Sequence, residues 1–573
     1  MAATTATSQP IHWKDIVAEK RQRQTASIPK EWIIDPPPSS QLDVTSFPDK
    51  CGLLTDRELE ITNTTDVDVI LKKLASAEWS SVEVTTAFYK RAIVAQQLVN
   101  CLTEIFVDEA LARAAELDAH LKSTGKVVGP LHGLPISLKD QFKIKSHETT
   151  MGYVSWIGKY ADSNSALVDI LYECGAVPFV QTNVPQTLMW AETYNVIFGR
   201  TLNPNNRNLT SGGSSGGEGA LIAMKGSPLG VGSDIGGSIR IPSGFNGLYG
   251  MRPSYNRVPY ANAVNSMEGQ ESILSVFGPI SNNISGLKAF MKAVVDSKPW
   301  LKDPLALRKK WDEEAYALLD RDGGKKLCFG ILWNDGQSVP HPPITRGLEI
   351  TKAALLAAGH EVVDWKPYKH AEMVDVISGI WDSGAEEDFA TVTAPTGEPI
   401  LTSMYDLEAA VKTEAAFRPP EGQPTMTAYQ LWQLHKTKLQ LRQEHLNYWQ
   451  SSVSLTGTGR PVDAIISPVA PRTAPTHGNN IDAAYTTVWN GHDSSVCVVP
   501  ITKVDPVLDA KKPRSNFLSA ADERNYQLYD SPETFVDAPV SVQIVGQTQE
   551  EEAVLGMAEI VDAAVKAYKA TSA

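Results

Sequence analysis

The residues best placed to do chemistry lie in a glycine- and serine-rich stretch from Thr210 to Arg240, TSGGSSGGEGALIAMKGSPLGVGSDIGGSIR. Near its end, Gly236 and Gly237 precede Ser238, and the backbone N–H groups of such a run can turn inward without side chains in the way. Acyl transfer requires a nucleophile beside preorganised N–H donors that hold the oxyanion. The stretch therefore predicts an acyl-transfer site with Ser238 as its nucleophile.

Three other interpretations of this stretch are disfavoured. A flexible linker would not contain the apolar segments ALIAMK and LGVGSD. A phosphate-binding loop ends in Gly-Lys-Ser/Thr and a dinucleotide fingerprint requires G-x-G-x-x-G, and the stretch contains neither. GGSSG fits the G-x-S-x-G nucleophile elbow at Ser214 or Ser215, but the segment before it, NPNNRNLT, is polar where the elbow needs an apolar strand.

A candidate base lies upstream, in the segment GPLHGLPISLKD. This apolar run, interrupted by glycine and proline, is typical of a short buried strand, and Lys139 stands near its end. Burial disfavours the ammonium form and lowers the pKa of a lysine, so Lys139 is expected to accept a proton near neutral pH. None of the 11 histidines stands in an evident catalytic or zinc motif.

The segments around these residues alternate between helical and strand-like patterns. ALVDILYECGAVPFVQTN has the pattern of helix, turn and strand, and TRGLEITKAALLAAGHEVVDW repeats this order. The alternation predicts a layered α/β body around a mainly parallel sheet. MTAYQLWQLHKTKLQLRQEHLNYWQ predicts a long amphipathic helix whose aromatic stripe belongs to the core or to a pocket wall. A membrane-facing cap within residues 370–450 is the disfavoured alternative.

The composition limits the partners of this protein. Its 573 residues include 52 Lys and Arg against 66 Asp and Glu, and the net charge of -14 argues against nucleic acid and against an anionic membrane surface. Five scattered cysteines without a CxxC pair indicate reduced thiols rather than disulfides or a zinc site. Neither a signal peptide nor a membrane-spanning run is evident. We expect a cytoplasmic protein that acts on a small neutral or cationic molecule.

Four segments in this order, GPLHGLPISLKD, TNVPQTLM, GGSSGGEGALIA and GSDIGGSIRIPSGFNGLYGMRPS, resemble the amidase signature family. Within that family the chain is most similar to the fungal acetamidases and next to the fatty acid amide hydrolases. The resemblance implies one large α/β/α domain, residues 64–573, with a twisted mixed central sheet covered by helices on both faces. Residues 1–63 are expected to form a helical and proline-rich arm with a structural or dimer-contact role, which leaves a homodimer open.

The resemblance assigns catalytic roles to three residues. Ser238 corresponds to the nucleophile of the family, Ser214 to its bridging serine and Lys139 to its general base. In the family the peptide bond before the bridging serine is cis, which here is the bond between Gly213 and Ser214. The implied mechanism has neutral Lys139 take a proton from Ser214 while Ser214 takes the proton of Ser238. It proceeds through an acyl-enzyme and uses no cofactor and no metal.

The resemblance also assigns supporting positions. The oxyanion hole corresponds to the backbone N–H groups of Ile235, Gly236, Gly237 and Ser238. Two apolar residues are expected to face the substrate, Leu188 and Ile235. Structural support for the loop is expected from Gly213, Ser215, Asp234 and Arg240.

The function that follows is hydrolysis of carboxylic acid amides to carboxylate and ammonia or amine, with an acetamidase-like primary amidase favoured. A fatty acid amide or N-acyl amine hydrolase is one alternative. An amidotransferase A-type subunit that needs partner chains is another, which the acidic charge and the N-terminal arm disfavour. A binding protein on an inactive amidase scaffold is disfavoured because all three catalytic positions are filled.

Overall fold

One mixed β-sheet organises the part of the chain that the computed structural model describes, residues 12–404, 426–480 and 482–572. Its strands, numbered along the chain, are β1 Leu102–Ile105, β2 Pro135–Lys139, β3 Val177–Thr182, β4 Leu229–Asp234, β5 Tyr249–Arg252, β6 Val276–Ser281, β7 Cys328–Leu332, β8 Glu361–Trp365, β9 Ala464–Pro468, β10 Val496–Lys503 and β11 Pro539–Val545. Across the sheet their order is β1-β3-β2-β4-β6-β5-β10-β11-β9-β7-β8. The expected large mixed sheet is confirmed.

The direction of the strands differs from the prediction of a mainly parallel sheet. Only the pairs β2–β3, β2–β4, β7–β8 and β7–β9 are parallel, and the pairs through the middle of the sheet are antiparallel. A parallel pair requires a long crossover connection, usually a helix. No helix separates β5 from β6 in the described chain, so these two strands pair antiparallel. Helices alternate with strands along most of the described chain, so the predicted alternation is confirmed, whereas the parallel direction inferred from it is wrong for the middle of the sheet.

Helices cover the sheet. They are α1 Trp13–Ala26, α2 Asp56–Asn63, α3 Val67–Ala75, α4 Ser81–Val99, α5 Val107–Thr124, α6 Ala166–Glu173, α7 Gly216–Ala223, α8 Arg240–Asn246, α9 Ile284–Asp296, α10 Glu313–Tyr316, α11 Pro342–Ala357, α12 His370–Asp382, α13 Ala385–Thr393, α14 Ala428–Ser451, α15 Ala484–His492, α16 Ala520–Leu528 and α17 Glu551–Ser572. Short 3-10 turns lie at Lys30–Trp32, Val154–Trp156, Pro299–Leu301, Leu319–Gly324, Ser452–Leu455 and Pro532–Phe535. Every residue of the strands β2, β3 and β4 is buried, as expected for strands covered on both faces.

The long amphipathic helix α14 is confirmed, but its aromatic residues do not form one buried stripe. Leu441, His445 and Trp449 recur at helical spacing and are buried. Tyr429 and Trp432 lie on the other side of the helix and are 66% and 62% exposed. The prediction treated as one stripe aromatic residues that the 3.6-residue period distributes over two faces.

The described part of the N-terminal segment contains the helix α1 and is anchored to the main body. The buried Lys20 ammonium of α1 forms ion pairs with Glu104 and Glu148. Further along, Trp32 and Val44 belong to the same hydrophobic core as the sheet. The division into an arm and a catalytic domain at residue 63 stays a prediction. Within the described ranges, no helix has the length and apolar character needed to span a membrane.

Candidate active site

The candidate residues meet because two neighbouring strands end at the same edge of the sheet. β2 and β4 are parallel, with Ser137 opposite Gly230 and Leu138 opposite Val231. Parallel strands place their carboxyl ends side by side, so Lys139 at the end of β2 comes close to the residues at the end of β4. The glycine loop, residues 235–239, starts directly after β4 and leads into α8.

Lys139 is wholly buried and contacts two hydroxyl groups. Its Nζ donates to Ser214 Oγ at 2.7 Å and to Ser233 Oγ at 2.7 Å. Burial lowers the pKa of Lys139 to about 7, against the charges of Asp234 and Glu218, which raise it. A large share of Lys139 is therefore neutral near pH 7, and the sequence prediction of a buried lysine next to Ser214 agrees with this geometry.

The peptide group between Gly236 and Gly237 is held at both ends. The Gly236 carbonyl accepts hydrogen bonds from Thr486 Oγ1 at 2.7 Å and Thr487 Oγ1 at 3.0 Å, and the Gly237 N–H donates to Asp234 Oδ1 at 2.9 Å. Gly237 has φ +136°, and a Cβ there would collide with the Thr486 side chain. The structure thus differs from the prediction that the Gly237 N–H faces an oxyanion.

A buried ion pair lies beneath this loop. Arg240 Nε donates to Asp234 Oδ2 at 2.9 Å and Arg240 Nη2 donates to Asp234 Oδ1 at 2.9 Å, and both side chains are wholly buried. Burial would raise the pKa of Asp234, but the charge and hydrogen bonds of Arg240 hold it well below its usual range. Asp234 stays ionised and also accepts from the N–H of Ile239 at 3.2 Å. The Asp234–Arg240 ion pair therefore holds the glycine loop in position.

The segment with Ser214 lies against the segment with Ser238. The bond between Gly213 and Ser214 is cis. The Ser215 N–H donates to the Ser238 carbonyl at 3.2 Å, which places the two segments side by side. A Cβ on Gly213 would lie 2.6 Å from the Glu192 carbonyl oxygen, so only glycine fits there.

A small cavity of about 70 Å³ opens beside Ser238, which is 8% exposed. Its walls include the predicted pocket residues Leu188 and Ile235. On another side stands Trp381 of α12, and a Cβ on Gly236 would lie 2.9 Å from the Trp381 ring. Trp381 also borders a groove of about 620 Å³, so this side chain lines both spaces.

Sequence reasoning missed four residues at this site. They are Ser233, Thr486, Thr487 and Trp381, and no role is assigned to any of them from the sequence. Threonines inside a helix and a tryptophan on an amphipathic helix are typical of ordinary packing, and no motif marked them. These residues can be recognised only in the folded protein, where they lie close to the glycine loop.

The fold and these contacts define an α/β protein with a buried lysine–serine pair beside the glycine loop that contains Ser238. Residues 83–555 match the family model described as Amidase. This match covers well over half of the chain, and the chain belongs to the Amidase family. It is a hydrolase that acts on amide bonds, and the resemblance seen in the sequence is confirmed.

The curated relatives include two fungal acetamidases. One, from Emericella nidulans, is 43% identical over 553 residues, which cover 96% of this chain and 98% of the relative. The other, from Aspergillus oryzae, is 43% identical over 550 residues with the same shares of both chains. Both similarities run over nearly the whole length of the protein.

Among solved structures, that of a fatty acid amide hydrolase superposes with a TM-score of 0.88 at 32% identity, covering 97% of this chain and 95% of that one. The crystal structure of an amidase, with a TM-score of 0.65 and 20% identity, is similar in fold. These matches agree with a mixed central sheet flanked by helices.

Proposed function

We propose that the protein is a serine amidase that cleaves small primary amides through an acyl-enzyme on Ser238. The observation that carries this proposal is the buried Lys139 amine, 2.7 Å from Ser214 Oγ, at the edge of the loop that holds Ser238. A lysine in that position can be neutral near pH 7 and can receive a proton.

In the proposed first step, Ser238 Oγ attacks the amide carbon and a C–O bond forms. The Ser238 proton passes to Ser214, and the Ser214 proton passes to the Lys139 amine, which becomes an ammonium. Return of the proton through Ser214 to the amide nitrogen allows the C–N bond to break and ammonia or an amine to leave. Water then attacks the acyl-enzyme, and the same relay removes its proton and returns one to Ser238 Oγ.

The oxyanion of each tetrahedral intermediate needs N–H donors that are free before the reaction. In the part of the chain that the structure describes, the backbone N–H groups of Ile235, Gly236 and Ser238 have no hydrogen-bond acceptor, whereas that of Gly237 is engaged by Asp234. We therefore place the oxyanion on the first three of these groups. The loss of one such donor typically costs a factor of about 10² to 10³ in kcat.

The size of the cavity beside Ser238 favours a short acyl group. About 70 Å³ is available there, against about 620 Å³ in the groove behind Trp381. Leu188, Ile235 and Trp381 make the walls apolar, which suits an alkyl group and not a charged one. The acetamidase relatives support the same substrate class.

The purified chain, without partners, is expected to release ammonia from primary amides and to prefer short ones. The measurement is kcat/KM across acetamide, butyramide, hexanamide, benzamide and oleamide. A preference that rises with chain length would instead assign the protein to lipid amides, the alternative that the superposition with the fatty acid amide hydrolase supports. No turnover of any amide by the folded chain would favour an amidotransferase-type subunit.

Replacing Trp381 with alanine is expected to change the acyl preference. Without the indole, the cavity beside Ser238 joins the larger groove, so kcat/KM for hexanamide relative to acetamide should rise by about tenfold or more. Burial of one methylene contributes roughly 0.8 kcal/mol to binding, and the joined space buries several methylenes of hexanamide that the small cavity excludes. Trp432→Ala is the matched control, because Trp432 is 62% exposed on α14 and lines neither space. The same ratio in Trp381→Ala and wild type would contradict the role of Trp381.

A further inference from the structure

Three histidines outside the candidate active site are buried without partners. His370 on α12, His445 on α14 and His492 at the end of α15 are 4%, 6% and 7% exposed. Their rings surround Trp489, and the rings of His445 and His492 stack with centroids 3.9 Å apart. None of their six ring nitrogens has a hydrogen-bond partner among the described residues. Buried polar groups without partners are rare and require an explanation.

Two of these histidines, His445 and His492, border a cavity of about 400 Å³. This cavity shares no lining residue with the one beside Ser238. Its polar lining consists of Arg442, Gln443, His445, His492, Ser494, Gln547 and Thr548. Its apolar lining consists of Leu439, Leu446 and Trp449. The cavity is therefore amphipathic, with hydrogen-bonding groups and an apolar wall.

Arg442 is the one charged side chain among the described residues that line the cavity, although the protein carries a net charge of -14. The carboxylate of the neighbouring Asp493 is paired with Arg252. No Asp or Glu stands among the described residues that line it, and Arg442 forms no ion pair within the described ranges. Burial lowers the pKa of His370 to about 3 and of His445 to about 4, and that of His492 also falls, so these rings are neutral near pH 7. A neutral imidazole keeps one N–H donor. A single guanidinium beside neutral donors suits one negative charge.

A metal ion is a poorer fit for these histidines. Within the described residues, no group of three or more His, Cys, Asp or Glu side chains is arranged to hold a metal ion. The lining also provides a guanidinium, which repels a cation and attracts a carboxylate with charge-assisted hydrogen bonds.

We propose that this cavity binds a small monocarboxylic acid as its anion. The carboxylate lies between the Arg442 guanidinium and the imidazole of His492, and the carbon tail packs against Leu439, Leu446 and Trp449. The apolar wall distinguishes such a ligand from an inorganic anion, which has no carbon tail to bury. Carboxylic acids are also the products of amide hydrolysis, and that link, unlike the binding itself, rests on the proposed function.

The position of the cavity connects it with the glycine loop. His492 ends α15, the helix whose Thr486 and Thr487 hold the Gly236 carbonyl. On the same helix, Asn490 Nδ2 donates to Asp234 Oδ1 at 2.9 Å. A ligand at one end of this short helix thus contacts the element that positions the loop.

The test is calorimetric titration of the whole protein with butyrate, hexanoate, hexanamide and inorganic phosphate. Hexanoate is expected to bind more tightly than butyrate and phosphate. The neutral hexanamide, a substrate under the proposed function, is titrated only into Ser238→Ala protein, where it is expected not to displace hexanoate. Arg442→Gln should weaken hexanoate binding by about tenfold or more, because a charge-assisted hydrogen bond is lost. Lys436→Gln, the matched control, removes the same charge from an exposed position of α14 and should leave binding unchanged.

Leu446→Glu provides a second variant, since Leu446 is 42% exposed and the new carboxylate repels the ligand without disturbing the core. It should weaken binding as Arg442→Gln does. The titration is repeated in a Ser238→Ala background, where hexanoate binding should persist because it needs no turnover. Hexanoate binding would therefore support the proposal even if the protein proves not to hydrolyse small amides. Equal affinities in wild type, Arg442→Gln and Leu446→Glu would overturn the proposal, as would phosphate binding as tight as that of hexanoate.

Discussion

Replacing Ser238 with alanine is expected to reduce kcat for acetamide by roughly 10⁴- to 10⁶-fold, the range seen when a nucleophilic serine is removed from a catalytic unit. The variant keeps the glycine loop and the Asp234–Arg240 ion pair, so it should fold and bind substrate but form no acyl-enzyme. Ammonia release under saturating acetamide measures the loss. Thermal unfolding shows whether the fold is unchanged.

The matched control is Ser163→Ala, which changes an exposed serine far in the chain from the glycine loop and should keep full activity. A phosphonylating reagent directed at reactive serines should modify Ser238 in the wild type, and peptide mass spectrometry identifies the modified residue. If Ser238→Ala retained more than about one hundredth of the wild-type kcat with a normal melting temperature, or if the reagent modified Ser214 instead, Ser238 would not be the nucleophile.

Replacing Lys139 with methionine is expected to lower kcat/KM by about 10² to 10⁴, the usual contribution of a general base. Methionine keeps much of the apolar stem in the buried site but cannot accept a proton. Lys139→Arg should not restore activity, because a guanidinium stays protonated at every accessible pH. A role limited to donating hydrogen bonds to Ser214 and Ser233 would be partly rescued by arginine, so this pair of variants separates the two roles.

The pH dependence gives the same residue a second test. Lys139 is a cationic acid, and its pKa is lowered by burial to about 7. Only the amine form, which dominates above that pKa, can accept the proton, so kcat/KM of the wild type should rise with pH through about 7 and then level off. The Lys139→Met variant should lose this rise. Lys225→Met, at a lysine whose Nζ donates to Asn63, serves as the control and should keep the wild-type profile. A wild-type profile that is flat between pH 6 and 8 would exclude Lys139 as the base.

Much of the site could be predicted because its determinants are local. The apolar run before Lys139 forms a strand with every residue buried, and the glycines at 236 and 237 build the loop before Ser238. Asp234 and Arg240 are six residues apart, and their ion pair lies where the motif suggested. Backbone freedom at glycine and the burial of an apolar strand depend mainly on neighbouring residues.

Other features were fixed only when distant segments packed together. Lys139 and Ser214 are 75 residues apart, and Gly236 and Thr486 are 250 apart. The two threonines hold the Gly236 carbonyl, and the Gly237 N–H donates to Asp234, so this N–H group is not free as expected from the sequence. The antiparallel middle of the sheet likewise followed from which strands became neighbours.

The sequence by itself determined the family of this protein and the candidates for its chemistry: a serine after paired glycines and a lysine that ends a buried strand. The tertiary structure alone decided which N–H groups remain free for an oxyanion, and it placed Trp381 in the lining of both a small cavity and a large groove. The physical reason is that residue types and the short-range conformation of the backbone depend on adjacent positions in the sequence. The direction of a hydrogen bond and the volume of a cavity depend on side chains hundreds of residues apart.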